Sequence, residues 1–302
     1  MTLEQLPELV AEEPAVMSVL GQRSAMLAVP DNARALVVAG LAEATERRPV
    51  VLAVASTTEA ERVARDIEVF LRPENVELLP AWETLPFERV SPGVETMGRR
   101  MRTFWRLSDP ERLPMVIVAP VRALIQRLGP GLDSVQPMHV KPGDTIDPAA
   151  LVADLVGQGY RREYQVEHRG EVAVRGSIVD VFPSTADSPY RIDLWGDEVD
   201  RLTEFTVNDQ RSTVDVDSVT IFGARELILT EEVRERARSL IASAPWGREH
   251  WERLSEGALF DGMESWTPWL ATDERRAAGS DCGGSGPGAH PGSNLGCRGQ
   301  HR

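Results

Sequence analysis

The amino-acid sequence predicts an α/β protein with a parallel-sheet first domain, a smaller inserted α+β domain and a disordered carboxyl-terminal tail. Between residues 24 and 128, apolar strand-like runs alternate with helical patterns, an order typical of a parallel sheet with helices on its faces. After residue 129 the pattern changes to short strands and glycine turns. Beyond residue 273 glycine, serine and proline dominate, and such a segment buries too little apolar surface to fold.

The first domain is predicted to contain strands at four apolar runs: SAMLAV (24–29), VVLAVA (50–55), VELL (76–79) and MVIVA (115–119). A helix from about Arg34 to Arg47 separates the first two runs. Because strands and helices alternate, we expect all four strands to lie in one parallel sheet.

The helix after the second strand has the clearest pattern. Thr58 can cap it, and Glu61 three residues later completes a capping box. Arg72-Pro73 ends the helix because proline cannot continue it. The apolar residues at helical spacing are Ala60, Val63, Ala64, Ile67, Phe70 and Leu71.

The second half of the chain predicts a helix from about Pro148 to Gly157 and a β-hairpin. In the hairpin, YRIDLW and EVDRLTEF flank Gly196-Asp197, a two-residue turn whose leading glycine suits tight hairpin geometry. A further helix is predicted from Thr230 to about Ala242, with Thr230 as its cap.

The charge balance argues against direct, tight DNA binding. The 302-residue chain has 33 basic and 47 acidic residues, a formal net charge of -14, and such a surface repels phosphate. No apolar run approaches the roughly 20 residues that span a membrane, and the acidic start lacks a secretion signal, so we expect a cytoplasmic protein. Both cysteines, Cys282 and Cys297, lie in the tail, so no disulfide is expected in the folded body.

Two groups of residues have a structural and a functional interpretation. Trp82 and Phe87 are expected to pack against the first domain; the alternative is a stacking platform for nucleic-acid bases, which the neighbouring acidic residues disfavour. The basic stretch is expected to be a solvated helix face; the alternative is a contact with DNA or another domain. Its arginines are Arg99, Arg100, Arg102 and Arg106.

Two stretches point to a family. They are LPAWETLPFERVSP (79–92) and RGEVAVRGSIVDVFPS (169–184), and both closely resemble the amino-terminal part of the bacterial transcription-repair coupling factors. The resemblance runs from roughly Met17 to Leu270. It implies a region similar to the excision-repair subunit UvrB, with a split first domain at 1–128 and 216–272, a second domain at 129–215 and a tail at 273–302.

The resemblance also implies the partners. UvrA is expected to bind the second domain, whereas RNA polymerase and DNA are bound by later domains of the full-length family, whose motor uses ATP and magnesium. We therefore expect a truncated, non-catalytic chain that recruits UvrA, with a tail read out of frame. The alternative is an ATP-dependent DNA translocase or helicase-like repair protein, the activity of the full-length family.

The place of a phosphate loop is occupied by AVPDNARA (28–35), which lacks the glycines, lysine and hydroxyl of G-x-x-x-x-G-K-[ST]. Pro30 removes a backbone donor and Asp31 adds a charge of the wrong sign. We therefore expect a degenerate loop without a cofactor, and a helix start capped by Asp31 or Asn32. Besides those three residues, the degenerate loop includes Ala28 and Arg34.

The resemblance assigns the UvrA contact to Arg175 and Phe182 in RGSIVDVFP, and to Arg162 or its neighbour Arg161 in GYRRE. UvrB has a further arginine where this chain has Ala173, so the basic cluster is expected to be thinner. Arginine suits this role because its rigid fork of donors matches carboxylates, and it is common among interface hot spots.

A structural interpretation of the same residues stays open. Arginines and glutamates alternate between residues 161 and 175, which is typical of a solvated face with weak ion pairs, and Phe182 can be a core residue. Strict alternation places Val174, Ile178 and Phe182 on one face and Arg175 on the other. A bulge at Gly176 would bring Arg175 and Phe182 together.

The tail contains two cysteines and two histidines that offer zinc ligands, but it has no close C-x-x-C pair. No metal site is therefore expected.

Overall fold

The computed structural model describes residues 2–85, 88–132 and 136–271. The predicted tail, with its cysteines and histidines, lies outside the described residues. The helices are α1 (Leu6–Ala11), α2 (Pro14–Val19), α3 (Arg34–Ala44), α4 (Thr57–Glu68), α5 (Val94–Leu107), α6 (Val121–Ile125), α7 (Pro148–Gly157), α8 (Glu231–Ser243), α9 (Arg248–Ser255) and α10 (Thr267–Leu270). The strands are β1 (Val50–Val54), β2 (Val76–Leu78), β3 (Val116–Pro120), β4 (Met138–Val140), β5 (Arg161–Arg162), β6 (Glu171–Arg175), β7 (Ile178–Val181), β8 (Tyr190–Trp195), β9 (Glu198–Phe205), β10 (Ser212–Asp215) and β11 (Val219–Ile221).

The first sheet is parallel, as the alternation of strands and helices predicts. Its strand order is β1-β3-β2, and every residue of the central strand β3 is buried. Helix α4 packs on this sheet through Val63, Ala64 and Ile67, which contribute to one apolar core. The α/β class is confirmed for this part of the chain.

One predicted strand is wrong. Residues 24–29 form no strand, and Met26 is 97% exposed. Among the described residues, β1 pairs only with β3, so the run gains neither backbone partners nor a buried face. Apolar composition alone does not make a strand without a neighbour.

The start of α4 differs from its predicted cap, while its buried face is confirmed. Ser56, rather than Thr58, is the N-cap, and its side chain accepts a hydrogen bond from the Glu59 backbone N–H. A serine before the first turn satisfies one of the unpaired N–H groups there. Of the predicted apolar residues, Phe70 is half-buried and the other five are buried.

The basic stretch of α5 is not a solvated face, so that expectation is wrong. Arg100 is fully buried, and its guanidinium donates to the Glu226 carboxylate, which is 1% exposed. Arg102 and Arg106 both bond to the buried carboxylate of Glu77. The acidic partners are distant in sequence, so the pairing was not visible from the pattern of charges.

Trp82 packs against the first domain, as expected. Its indole N–H donates to Glu226 at 3.1 Å, and the Arg100 guanidinium carbon lies 5.6 Å from the ring centroid. Phe87 lies outside the described residues.

The second large sheet has six strands in the order β10-β9-β8-β7-β6-β5. The predicted hairpin is β8 and β9, and the predicted helix is α7; both are confirmed. One face of the sheet buries its apolar side chains against Leu151, Val152 and Leu155 of α7. Strands β4 and β11 pair with each other and add Val140 and Ile221 to the same core.

The last helices form a separate apolar cluster around Trp251, which is fully buried. Helix α8 begins at its predicted cap, because the Thr230 side chain accepts from the Val233 backbone N–H. Within the described ranges, no helix is long and apolar enough to cross a membrane.

Candidate protein-interaction surface

The six-stranded sheet has a second face that does not pack on α7. Successive strand residues point to opposite faces, so the residues that alternate with the core valines share this second face. Its strand neighbours are set by the register: Asp180 lies opposite Arg191, and Ile178 opposite Asp193. We call this surface the arginine face and define it by Arg175, Asp180, Arg191, Asp193 and Trp195.

A two-residue turn, not a bulge, places Arg175 on the arginine face. Strands β6 and β7 form a hairpin around Gly176-Ser177, in which Arg175 pairs with Ile178. Gly176 has φ +64, a backbone conformation that side-chain-bearing residues rarely adopt. The predicted alternation through residues 174–182 was therefore wrong, because the turn resets it: Arg175, Ile178 and Phe182 share one face.

Asp180 is the centre of the arginine face. Its carboxylate is 1% exposed and accepts from Arg191 Nε at 2.7 Å and Arg191 Nη2 at 2.9 Å. The same carboxylate accepts from Arg175 Nη2. A buried carboxylate requires such charged donors, because removing it from water is otherwise costly.

Arg191 and Arg175 differ in the number of their contacts and in the exposed fraction of their side chains. Arg191 also donates to the Gln210 backbone carbonyl at 3.1 Å, and its guanidinium carbon lies 4.8 Å from the Phe205 ring centroid. Its side chain is 13% exposed, whereas that of Arg175 is 36% exposed. Arg175 is therefore the arginine that remains open to a partner.

Trp195 lies at the end of β8, beside the Gly196-Asp197 turn, and is 82% exposed. A tryptophan exposed to this extent leaves a large apolar ring in water. Tryptophan and arginine side chains are both over-represented among interface hot spots. Sequence reasoning missed Trp195 and Arg191, although the alternation in YRIDLW places Arg191, Asp193 and Trp195 on one face.

Phe182 shares the arginine face but is mostly buried. It is 8% exposed and packs with Val166, Ala173 and Phe205 in a small apolar cluster. The Arg169 guanidinium carbon lies 5.5 Å from its ring centroid. The geometry thus favours the core interpretation of Phe182.

Arg161 and Arg162 form the edge strand β5 and lie at the other end of β6 from Arg175. Arg161 pairs with Glu171, four residues from Arg175, or about 13 Å along a strand. Both are exposed, and Arg161 Nη2 lies 3.7 Å from the Asp261 carboxylate. The structure therefore does not bring these arginines together with Arg175.

The arginine face also contains a perturbed carboxyl group. Burial raises the pKa of Asp193 above its ordinary value, although Arg191 and Arg201 act in the opposite direction. Arg201 is in turn paired with Asp215 at 2.5 Å on the exposed edge of the sheet. The arginines of this face are thus held by carboxylates of the same sheet.

The segment that was predicted to be a degenerate phosphate loop contains a short 3-10 turn, Asp31–Ala33, followed by α3. The N-cap of α3 is Ala33, without a side-chain bond, so the predicted cap by Asp31 or Asn32 is wrong. Arg34 instead bonds to the carboxylates of Asp31 and Glu59, each at 2.6 Å. The Arg34 guanidinium at the start of α3 is thus held by two carboxylates.

Comparisons with known proteins identify the relatives of this chain. Residues 138–227, which include the six-stranded sheet, match the family described as "UvrB interaction domain". The chain is 39% identical over 263 residues to a "Transcription-repair-coupling factor" of Mycobacterium bovis, covering 82% of this chain and 21% of the relative. Proteins of the same name from Escherichia coli (76% of this chain, 20% of the relative) and Bacillus subtilis (70% and 18%) are each 33% identical. The resemblance to transcription-repair coupling factors is confirmed, and the chain spans about a fifth of their length.

Proposed function

We propose that this chain recruits UvrA in transcription-coupled nucleotide excision repair and that it is itself non-catalytic. The observation that carries the proposal is the arginine face, where Arg175 and Trp195 are open on a sheet that matches the UvrB interaction domain. Contacts with RNA polymerase and DNA are proposed only for other parts of the longer relatives.

The chemistry of the arginine face suits a protein partner. Arg175 offers a planar fork of donors that matches a carboxylate, and Trp195 offers a large ring to an apolar recess. Hot spots combine these two residue types, and truncation of one typically costs about 2 to 4 kcal/mol of binding. The network around Asp180 holds the arginines in place before binding, which reduces the entropy lost on association.

The absence of catalysis is proposed from residues 28–35, which lack the glycines, lysine and hydroxyl of a phosphate loop. Asp31 and Glu59 add negative charge there, where both pair with Arg34. Neither carboxylate can attract a triphosphate. We expect no magnesium-dependent ATP hydrolysis by this chain, with or without DNA, and measurable turnover would contradict this part of the proposal.

A binding titration with purified UvrA tests recruitment. Arg175→Ala is expected to weaken binding by about 30-fold to 900-fold, the equivalent of 2 to 4 kcal/mol. The matched control is Arg248→Ala, since Arg248 is an exposed arginine on α9, away from the sheet. Equal affinity of the wild type and Arg175→Ala would remove Arg175 from the contact, and a wild type that does not bind would refute recruitment itself.

A further inference from the structure

We infer that Asp180 is a positioning residue. It fixes the Arg175 guanidinium so that the remaining N–H donors of Arg175 meet a carboxylate of the partner, while Trp195, on the same face and at the same end of the sheet, enters an apolar recess of the partner. This inference rests on the proposed function, and it adds both a residue and the partner's chemistry. A partner surface with an acidic side chain and an apolar pocket fits these two residues.

The geometry separates two roles within the network. Arg191 takes both oxygens of Asp180 through Nε and Nη2, so this pair is a closed, bidentate unit. Arg175 uses Nη2 alone on Asp180, which leaves its other nitrogens available among the described residues. Asp180 therefore fixes the Arg175 guanidinium through one nitrogen and leaves its other N–H donors for a partner.

The burial of Asp180 makes this restraint rigid. The carboxylate is 1% exposed and lies on β7, between β6 and β8, which supply Arg175 and Arg191. A carboxylate in that position cannot exchange its partners for water, so the guanidinium of Arg175 is held to one location. An arginine that is already ordered loses less side-chain entropy on binding than a free one.

The ring of Trp195 defines the second half of the recognition site. Trp195 projects from β8 on the same face, at the end of the sheet where the Gly176 and Gly196 turns lie. The opposite end is closed by the cluster of Phe182 and Phe205. The open end is thus the part of the arginine face that a partner reaches.

A double-mutant cycle on UvrA binding tests the inference, using Asp180→Asn, Arg175→Ala and the combination. In the wild-type background Asp180→Asn is expected to weaken UvrA binding by about tenfold to a hundredfold, the loss typical of a bond to a charged group. In the Arg175→Ala background it is expected to cause no further loss. An equal loss in both backgrounds, or no loss in either, would overturn the positioning role.

The matched control is Asp66→Asn, which removes a carboxylate paired with Arg62 on α4, away from the arginine face, and is expected to leave UvrA binding unchanged. A second measurement on the wild-type chain does not depend on UvrA or on folding of a variant. Nuclear magnetic resonance of arginine Nε–H groups is expected to show Arg175 ordered and Arg248 mobile. Equal mobility of the two would overturn the inference even if UvrA binds, whereas an ordered Arg175 with no UvrA binding would refute only the proposed function.

Discussion

Substitutions at the buried Arg100–Glu226 ion pair should show that breaking the pair lowers the free energy of unfolding by more than the intact pair adds to it. Arg100 is 0% and Glu226 1% exposed, and Arg100 also donates to the Pro80 carbonyl at 2.9 Å. In Arg100→Met the Glu226 carboxylate keeps only the Trp82 indole N–H, at 3.1 Å, among these partners. An unpaired buried charge costs about 3 to 5 kcal/mol, so the free energy of unfolding should fall by that amount.

Urea denaturation followed by circular dichroism measures this loss. With a slope of about 3 kcal/mol per M of urea, the upper end of the range for small proteins, the urea midpoint is expected to fall by about 1 to 2 M. The double variant Arg100→Met/Glu226→Leu should recover most of the loss, because two apolar side chains leave no buried charge. Arg62→Met is the control, since Arg62 and Asp66 form an exposed pair worth at most about 1 kcal/mol. A change within 1 kcal/mol for Arg100→Met would refute the reasoning.

Three further outcomes can be measured on the same chain. Burial raises the pKa of Tyr160 to about 12, so unfolding releases a proton from Tyr160 between pH 10 and 12. The melting temperature of the wild type should therefore fall with rising pH in this range, and that part of the pH dependence should be absent in Tyr160→Phe. Burial raises the pKa of Asp193, so the ionised carboxylate opposes folding at pH 7. Asp193→Asn should therefore have a higher melting temperature than the wild type at pH 7, and the difference should vanish as the pH falls below the ordinary pKa of aspartate. A lower melting temperature of Asp193→Asn at pH 7 would contradict this. Phe182→Ala should lower the free energy of unfolding by about 3 to 5 kcal/mol, since Phe182 is buried, while the folded fraction binds UvrA normally; a selective loss of UvrA binding would return Phe182 to the contact.

Local signals allowed much of the fold to be predicted. The hairpin β8–β9 and helix α7 follow from a two-residue glycine turn and from a proline-initiated apolar segment, both of which act within a few residues. Residues 24–29 show the limit of this reasoning. Their composition suits a strand, but strand formation requires a neighbour, which a single sequence does not reveal.

The candidate site was predictable only in part for the same reason. The resemblance identified Arg175, and alternation within β8 would have added Trp195. The turn at Gly176 changed which residues share a face, and the burial of Phe182 depends on Val166 and Phe205, which are distant in sequence. Similarly, the burial of Arg100 could not be predicted, because its partner Glu226 is 126 residues away in sequence and contacts α5 only in the folded chain.

The affinity of UvrA for Trp195→Ala, compared with Trp246→Ala, is the most direct measurement of recruitment through the arginine face. Both tryptophans are largely exposed, at 82% and 60%, but Trp246 stacks on Trp266 in the last helical cluster. We expect Trp195→Ala to weaken binding by about 30-fold to 900-fold and Trp246→Ala to leave the affinity of the folded protein unchanged. Wild-type affinity in Trp195→Ala would contradict recruitment through this face.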